Sequence, residues 1–248
     1  MNLTINQTKQ LQTPSYILTT KGGALNGVIQ HNLREQEYPA VSLNFHDLYD
    51  YKFSLNKFKE HIQTHSHQRL GSDDESSLLK RFFRFDKNKL LWMTPFAYSA
   101  DKERTGGFND EDHLLLNLNT KVPMTEYYEM AVTMGPDFVV APTEQITSHS
   151  GKKKRKRALK ASAKSSKTLA KIIRQQQHQP VLLTPVTLGD EGGLDTFDMR
   201  TFVKDVFGEN EDGSPRIADE VQGFMIYGTD LLKVEQAFTD VRDFFSLT

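Results

Sequence analysis

The 248-residue chain contains no cysteine. Disulfides, Cys-ligated zinc, iron–sulfur clusters and thiol nucleophiles are therefore excluded within it. No apolar run approaches the roughly 18 residues that a helix needs to span a bilayer. The first 12 residues are polar with a single lysine, so they lack a secretory apolar region and an Arg-rich transit pattern. A soluble intracellular protein is the expectation. Signatures of common chemistry are missing too. There is no G-x-x-x-x-G-K-[ST] phosphate loop, no G-x-G-x-x-G after a strand and no G-x-S-x-G elbow. Hydrophobic residues make up only 37%, but sixteen Phe and eight Tyr supply bulk for a sizeable core. The length fits one large domain or two small ones.

What is present is a segregated charge. Lys plus Arg total 31 and Asp plus Glu total 32. From Gln145 to Gly189 there is no acidic residue, yet Lys152, Lys153, Lys154, Arg155, Lys156, Arg157, Lys160, Lys164, Lys167, Lys171 and Arg174 lie there. The segment carries +11 and the remainder 20 − 32 = −12. A basic block in an acidic chain suggests a polyanion partner: RNA, DNA or an anionic surface. A solvated helix face or a nuclear address is the plain alternative.

The hydrophobic pattern predicts strands at 15–20, 40–45, 89–95, 113–118, 137–141, 181–188 and 221–227. Helices are expected at 46–65, from Thr125 with a capping box, through the basic segment to Arg174, at 196–207 and at 230–245. Segments 66–77 and 98–112 read as loops, the second as a mobile one. From Lys89 onward strands and helices alternate, which predicts parallel βα units. A doubly wound sheet and a β/α barrel both fit that alternation. A complete barrel needs about 250 residues. The expectation is α/β; if the fold is TIM-barrel-like it is incomplete, with five to six barrel strands. Residues 1–88 form an irregular or β leader with the first βα elements, residues 89–248 form the partial barrel, and the whole is one structural domain.

Candidate site residues are sparse. His61, His65 and His67 have spacings that could share a metal, but no neighbouring carboxylate completes a set, so surface histidines are the preferred reading. Glu144 follows the strand at 137–141, and Asp190 and Glu191 follow the strand at 181–188. Ligands in α/β folds lie at carboxyl strand ends. These acids are weak pocket candidates beside the commoner reading that they cap turns. The motifs by themselves identify no catalytic residue.

Several segments share one order. They are Thr13-Pro14-Ser15-Tyr16-Ile17-Leu18-Thr19-Thr20-Lys21-Gly22-Gly23-Ala24-Leu25, then Val122-Pro123-Met124-Thr125-Glu126-Tyr127-Tyr128-Glu129-Met130-Ala131, and Pro136-Asp137-Phe138-Val139-Val140-Ala141. The basic helix from Lys152 and Val221-Gln222-Gly223-Phe224-Met225-Ile226-Tyr227-Gly228 complete the series. In this order they resemble the tRNA-guanine transglycosylase family, most closely its non-catalytic eukaryotic branch of queuine tRNA-ribosyltransferase accessory subunits. The resemblance implies a TIM barrel and participation in guanine-to-queuine exchange at the tRNA wobble position.

The departures imply a chain without turnover of its own. The D-S-G-G-[FY]-Q motif of catalytic members is nearest to Thr105-Gly106-Gly107-Phe108-Asn109 here. Thr143 stands where the base-reading aspartate is expected. The stretch Pro185-Val186-Thr187-Leu188 lacks the base-binding glutamine, and the late Gly-Gly survives only as Tyr227-Gly228, leaving Gly228 as a further weak pocket candidate. The chain ends at Thr248, about where the family's nucleophilic aspartate and Cys/His zinc site would begin. The expectation is a non-catalytic subunit without zinc or other cofactor. Its partners would be a catalytic subunit, as a heterodimer, and tRNA held by the basic helix. It would be cytoplasmic, with peripheral contact at the mitochondrial outer membrane. Two alternatives stand beside it: a small α/β enzyme using Glu144, Asp190 or Glu191, and a degraded paralogue that folds poorly without a partner.

Overall fold

A computed structural model describes residues 2–5, 9–12, 17–20, 23, 38–69, 77–96, 107–109, 112–116, 120–144, 152–176, 178–187, 223–227, 235 and 239. Its centre is a six-stranded sheet in which every neighbouring pair is parallel. The chain opens with an antiparallel hairpin of β1 (Asn2–Ile5) and β2 (Lys9–Gln12). The large sheet begins with β3 (Ile17–Thr19), β4 (Ala40–Asn44) and β5 (Leu90–Thr94). A small antiparallel sheet follows, formed by β6 (Gly107–Asn109), β7 (His113–Leu115) and β8 (Lys121–Pro123). The large sheet resumes with β9 (Phe138–Val140), β10 (Val181–Thr187) and β11 (Gly223–Tyr227). The spatial order is β3-β4-β5-β9-β10-β11, the same as the chain order. A doubly wound sheet reverses its strand order at a switch point, and the six strands have no such reversal.

Helices connect these strands. They are α1 (Phe45–Asp50) and α2 (Lys52–Arg69), α3 (Leu78–Phe83), α4 (Met124–Thr133) and α5 (Lys152–Arg174). Alternation of side chains along each strand gives the sheet two buried faces. One carries Val41, Leu43, Leu91, Met93, Val139 and Leu182, and it packs on Leu48, Leu55, Leu79, Tyr127, Leu169 and Ile173 of the helices. Tyr127 ties this layer together: its ring meets Phe45 edge-on at 5.2 Å, and its hydroxyl donates to the Val140 carbonyl. The other face carries Ala40, Leu90, Phe138, Val140 and Leu183, with Ile17, Trp92, Val181 and Met225 against them. Every residue of this second cluster lies on a strand. Near-continuous apolar runs such as Phe138-Val139-Val140 are what burial on both faces requires.

Several sequence expectations are corrected. The helix predicted from 46 to 65 is two helices meeting at Tyr51, and it extends into the expected loop as far as Arg69. That loop ends in an unexpected short helix, α3. Ser77 caps it by accepting from the Lys80 amide. The capping box expected at Thr125 does not form, because the helix starts at Met124 and leaves Thr125 inside the first turn. The segment 98–112 is not wholly a loop, since β6 pairs with β7. The strand predicted at 113–118 joins this small antiparallel sheet and not the parallel one. Period-two apolarity shows that a strand exists but cannot say which sheet receives it. The helices expected at 196–207 and 230–245 lie outside the described residues except for Glu235 and Thr239, both helical.

The amino edge of the sheet is fastened by a buried ion pair. Lys80 Nζ lies 2.9 Å from Asp137 Oδ2, with side chains only 2% and 3% exposed. Asp137 Oδ2 also accepts from the Leu91 amide, and Lys80 donates to the Lys87 carbonyl. This joins α3, β5 and the start of β9. Gly135, at φ +68, ends the preceding helical stretch where a Cβ would come within 2.9 Å of the Ser77 side chain. Removing one member strands the other charge in the interior, which costs about 3–5 kcal/mol. Lys80→Met is expected to lower stability by about that amount, read as a shift in urea midpoint with an unchanged slope. A loss below about 1 kcal/mol, the range of surface pairs, would show the pair to be solvated.

Candidate functional site at the carboxyl edge

Parallel strands place all their carboxyl ends on one edge, and that edge is polar. Asn44 at the end of β4 accepts from the Thr94 hydroxyl at the end of β5 (2.9 Å) and donates to the Thr20 carbonyl after β3 (3.3 Å). Thr20 donates in turn to the Ser42 carbonyl. Thr20, Asn44 and Thr94 are all buried. Sequence reasoning missed this run of hydrogen bonds. Its only signal is a small polar residue at or just past the end of each of three mainly apolar strands.

The edge continues past β9, where Ala141-Pro142-Thr143-Glu144 runs buried towards α5. Side-chain contacts from four residues latch the first half of that helix. Arg157 donates to Glu144 from Nε (2.9 Å to Oε2) and from a terminal nitrogen (2.6 Å to Oε1). Thr143 donates to the Ala158 carbonyl at 3.4 Å. Ser162 donates to the Pro185 carbonyl in β10 at 2.7 Å, and Ser165 donates to the Pro142 carbonyl. Small residues make this close seating possible: Ala158, Ser162, Ala163, Ser165, Ser166 and Ala170 are all buried. Further along, Leu169 and Ile173 pack with Leu182 in the core. The hydroxyls of Ser166 and Thr184 are buried and find no partner among the described residues. Strand alternation puts Thr184 on the same sheet face as Leu182, towards this helix.

The opposite face of α5 carries its cations. Lys153, Arg157, Lys160, Lys164 and Lys171 are exposed. Their spacings of four, three, four and seven place them on one helical stripe. Arg174 is exposed at the last turn, and Lys154 and Lys167 are half-buried at the margins. The side chains of Lys152, Arg155 and Lys156 lie outside the described set. Lys164 also meets Asp112 at 2.8 Å, an exposed pair of little energetic weight. From Lys153 to Lys171 the stripe runs about 27 Å at 1.5 Å per residue.

The neighbouring helix α4 presents acids instead. Lys52 donates to Glu126, and this hydrogen bond is the main cause that raises the Lys52 pKa. Burial, with a smaller push from the Asp112 charge, holds the Tyr128 phenol well above its ordinary range. Of these two helices, α5 alone carries the cationic stripe.

The structure brings Glu144 and Arg157 together, and that pairing gives Glu144 a structural partner. Asp190, Glu191 and Gly228 lie outside the described residues, as do the side chains of His65 and His67. His61 is exposed on α2. Among the described residues no group of three His, Cys, Asp or Glu side chains could hold a metal. No helix among them is long and apolar enough to cross a membrane. Comparison with protein-family models and with curated proteins finds no match.

The serine latches give a direct test. Replacing both Ser162 and Ser165 by Ala leaves two buried carbonyls without these donors, at about 1–3 kcal/mol for each unsatisfied group. The double variant is expected to lose stability in urea and to be cut faster by trypsin within 152–174. Unchanged cleavage would mean that apolar packing alone seats the helix.

Proposed function

We propose that this chain is an RNA-binding, non-catalytic accessory subunit of a tRNA-guanine transglycosylase complex, supporting queuine insertion at the wobble position. The observation that carries the reading is the cationic stripe of α5, held rigidly against the carboxyl edge of a parallel sheet. Fixed cations lose less entropy on meeting a polyanion than cations on a floppy segment. Phosphates are the ligand such a stripe suits, and they supply most of the sequence-independent affinity for nucleic acid.

The sheet is read as part of a β/α barrel. Two features support this: the strand order follows the chain without reversal, and among the described residues the second buried cluster is made of strand residues. A sheet whose inner face packs against itself must curve. The resemblance of the ordered segments from Thr13 to Gly228 supports the family. Thr143 supports the absence of turnover, since its hydroxyl is directed to the Ala158 carbonyl. In this reading the chemistry, and any zinc, belong to a catalytic partner subunit. The complex works in the cytoplasm with peripheral contact at the outer mitochondrial membrane. The competing small-molecule enzyme would use Glu144, Asp190 or Glu191; Glu144 is hydrogen-bonded to Arg157, and the other two lie outside the described residues.

Two measurements test the reading. A tagged chain should retain a transglycosylase catalytic subunit in a pull-down. Binding to tRNA should weaken with salt, with a slope of log K on log salt near about −4, as about five phosphate contacts require. A flat salt response removes the RNA claim.

A further inference from the structure

We infer that Glu144 is a positioning carboxylate, holding Arg157 as the anchor for an RNA phosphate near the head of the α5 stripe. The inference rests on the polyanion reading above and deepens it. Glu144 sits just past the carboxyl end of β9, and its side chain is only 7% exposed, whereas Arg157 is 54% exposed. The pair is bidentate, so the guanidinium plane is fixed by two hydrogen bonds and not by one. The backbone on both sides is fixed as well. Thr143, next to Glu144, bonds the carbonyl of Ala158, next to Arg157.

The charges on the stripe are otherwise mostly lysines, each a point charge on a flexible stem. Arg157 differs in kind: a planar guanidinium with five N–H donors, of which Nε and one terminal nitrogen hold Glu144, so that a phosphate would be met by the other edge of the plane. It lies on the same helical face as Lys153, Lys160 and Lys164, and so meets any strand that follows them. A buried acid behind an exposed arginine pre-orients the fork before the anion arrives, leaving less to order on binding. The lysines then supply general attraction, and Arg157 sets where the phosphate backbone sits.

Simple electrostatics and this proposal predict opposite signs for one substitution. Glu144→Gln removes a negative charge beside the stripe, so charge alone would tighten binding of a polyanion. Loss of positioning weakens it instead, by about tenfold if one bidentate contact is lost. The experiment measures labelled tRNA by fluorescence anisotropy across a salt series, for wild type, E144Q, R157K and the double variant. E144Q and R157K are each expected to bind about tenfold more weakly than wild type. R157K should keep the wild-type salt slope, because the number of cations is unchanged. In the R157K background, adding E144Q should bring no further loss, because there is no longer a fork to orient. Far-UV circular dichroism and thermal unfolding check that each variant is folded. If E144Q fails to fold, R157K decides the matter, and unchanged affinity overturns the proposal. Wild type that binds, with E144Q binding equally or more tightly, overturns the positioning role and leaves the polyanion reading standing. Wild type that does not bind tRNA at low salt overturns both.

Discussion

Parallel pairing of all six central strands is the constraint from which the remaining geometry follows. A parallel neighbour cannot be reached by a tight turn, so the chain must cross back over a face of the sheet between strands. Helices lie in the described crossovers from β4 to β5, β5 to β9 and β9 to β10, and parallel pairing collects every carboxyl strand end on one edge. The two edges then take different work. The amino edge holds Lys80 and Asp137, a pair too buried to meet a ligand. The carboxyl edge holds Thr20, Asn44, Thr94, Thr143 and Glu144, polar groups at the mouth of the layer. A sealed ion pair therefore lies at one edge and a row of buried polar groups at the other.

Much of the sheet was legible because burial on both faces leaves short continuous apolar runs, and Leu90 to Thr94 and Phe138 to Val140 are such runs. The basic helix was legible too, since its lysines leave a stripe of Ala, Ser, Leu and Ile uninterrupted by charge at 158, 162, 165, 169 and 173. The small antiparallel sheet was not. Only β7 falls in a strand read from the sequence, at 113–118; β8 is three residues long, and Gly107 to Asn109 reads as a polar loop. Nor was the Lys80–Asp137 pair, because a lysine between Leu79 and Arg81 reads as a surface residue until α3 is seen to bury it. Partners so far apart in the chain leave no periodicity to read.

The latching of α5 was invisible for a related reason. Serine in a helix reads as neutral filler, and its hydroxyl commonly returns to its own backbone. Ser165 does so in part, donating to the Ser162 carbonyl at 3.0 Å. Yet Ser162 and Ser165 also reach the carbonyls of Pro185 and Pro142, more than twenty residues away in either direction. Hydroxyls in place of methyl groups let a helix with so many cations sit close to a sheet edge while leaving few carbonyls unanswered. A helix seated only by Leu169 and Ile173 would be anchored at its second half, with its most basic turns unsupported.

Thr143 and Glu144, which close the buried segment after β9, argue most directly about what the edge does. Both turn towards α5: the hydroxyl meets Ala158 and the carboxylate meets Arg157. A carboxylate that is to take a proton from a substrate must present a lone pair to it. Glu144 presents both of its oxygens to one guanidinium. Its position after the strand is where ligands are met in α/β folds, and there it holds Arg157 by two hydrogen bonds. The pairing joins a buried carboxylate to an exposed arginine at this edge. The basic segment carries +11 against −12 for the remainder of the chain.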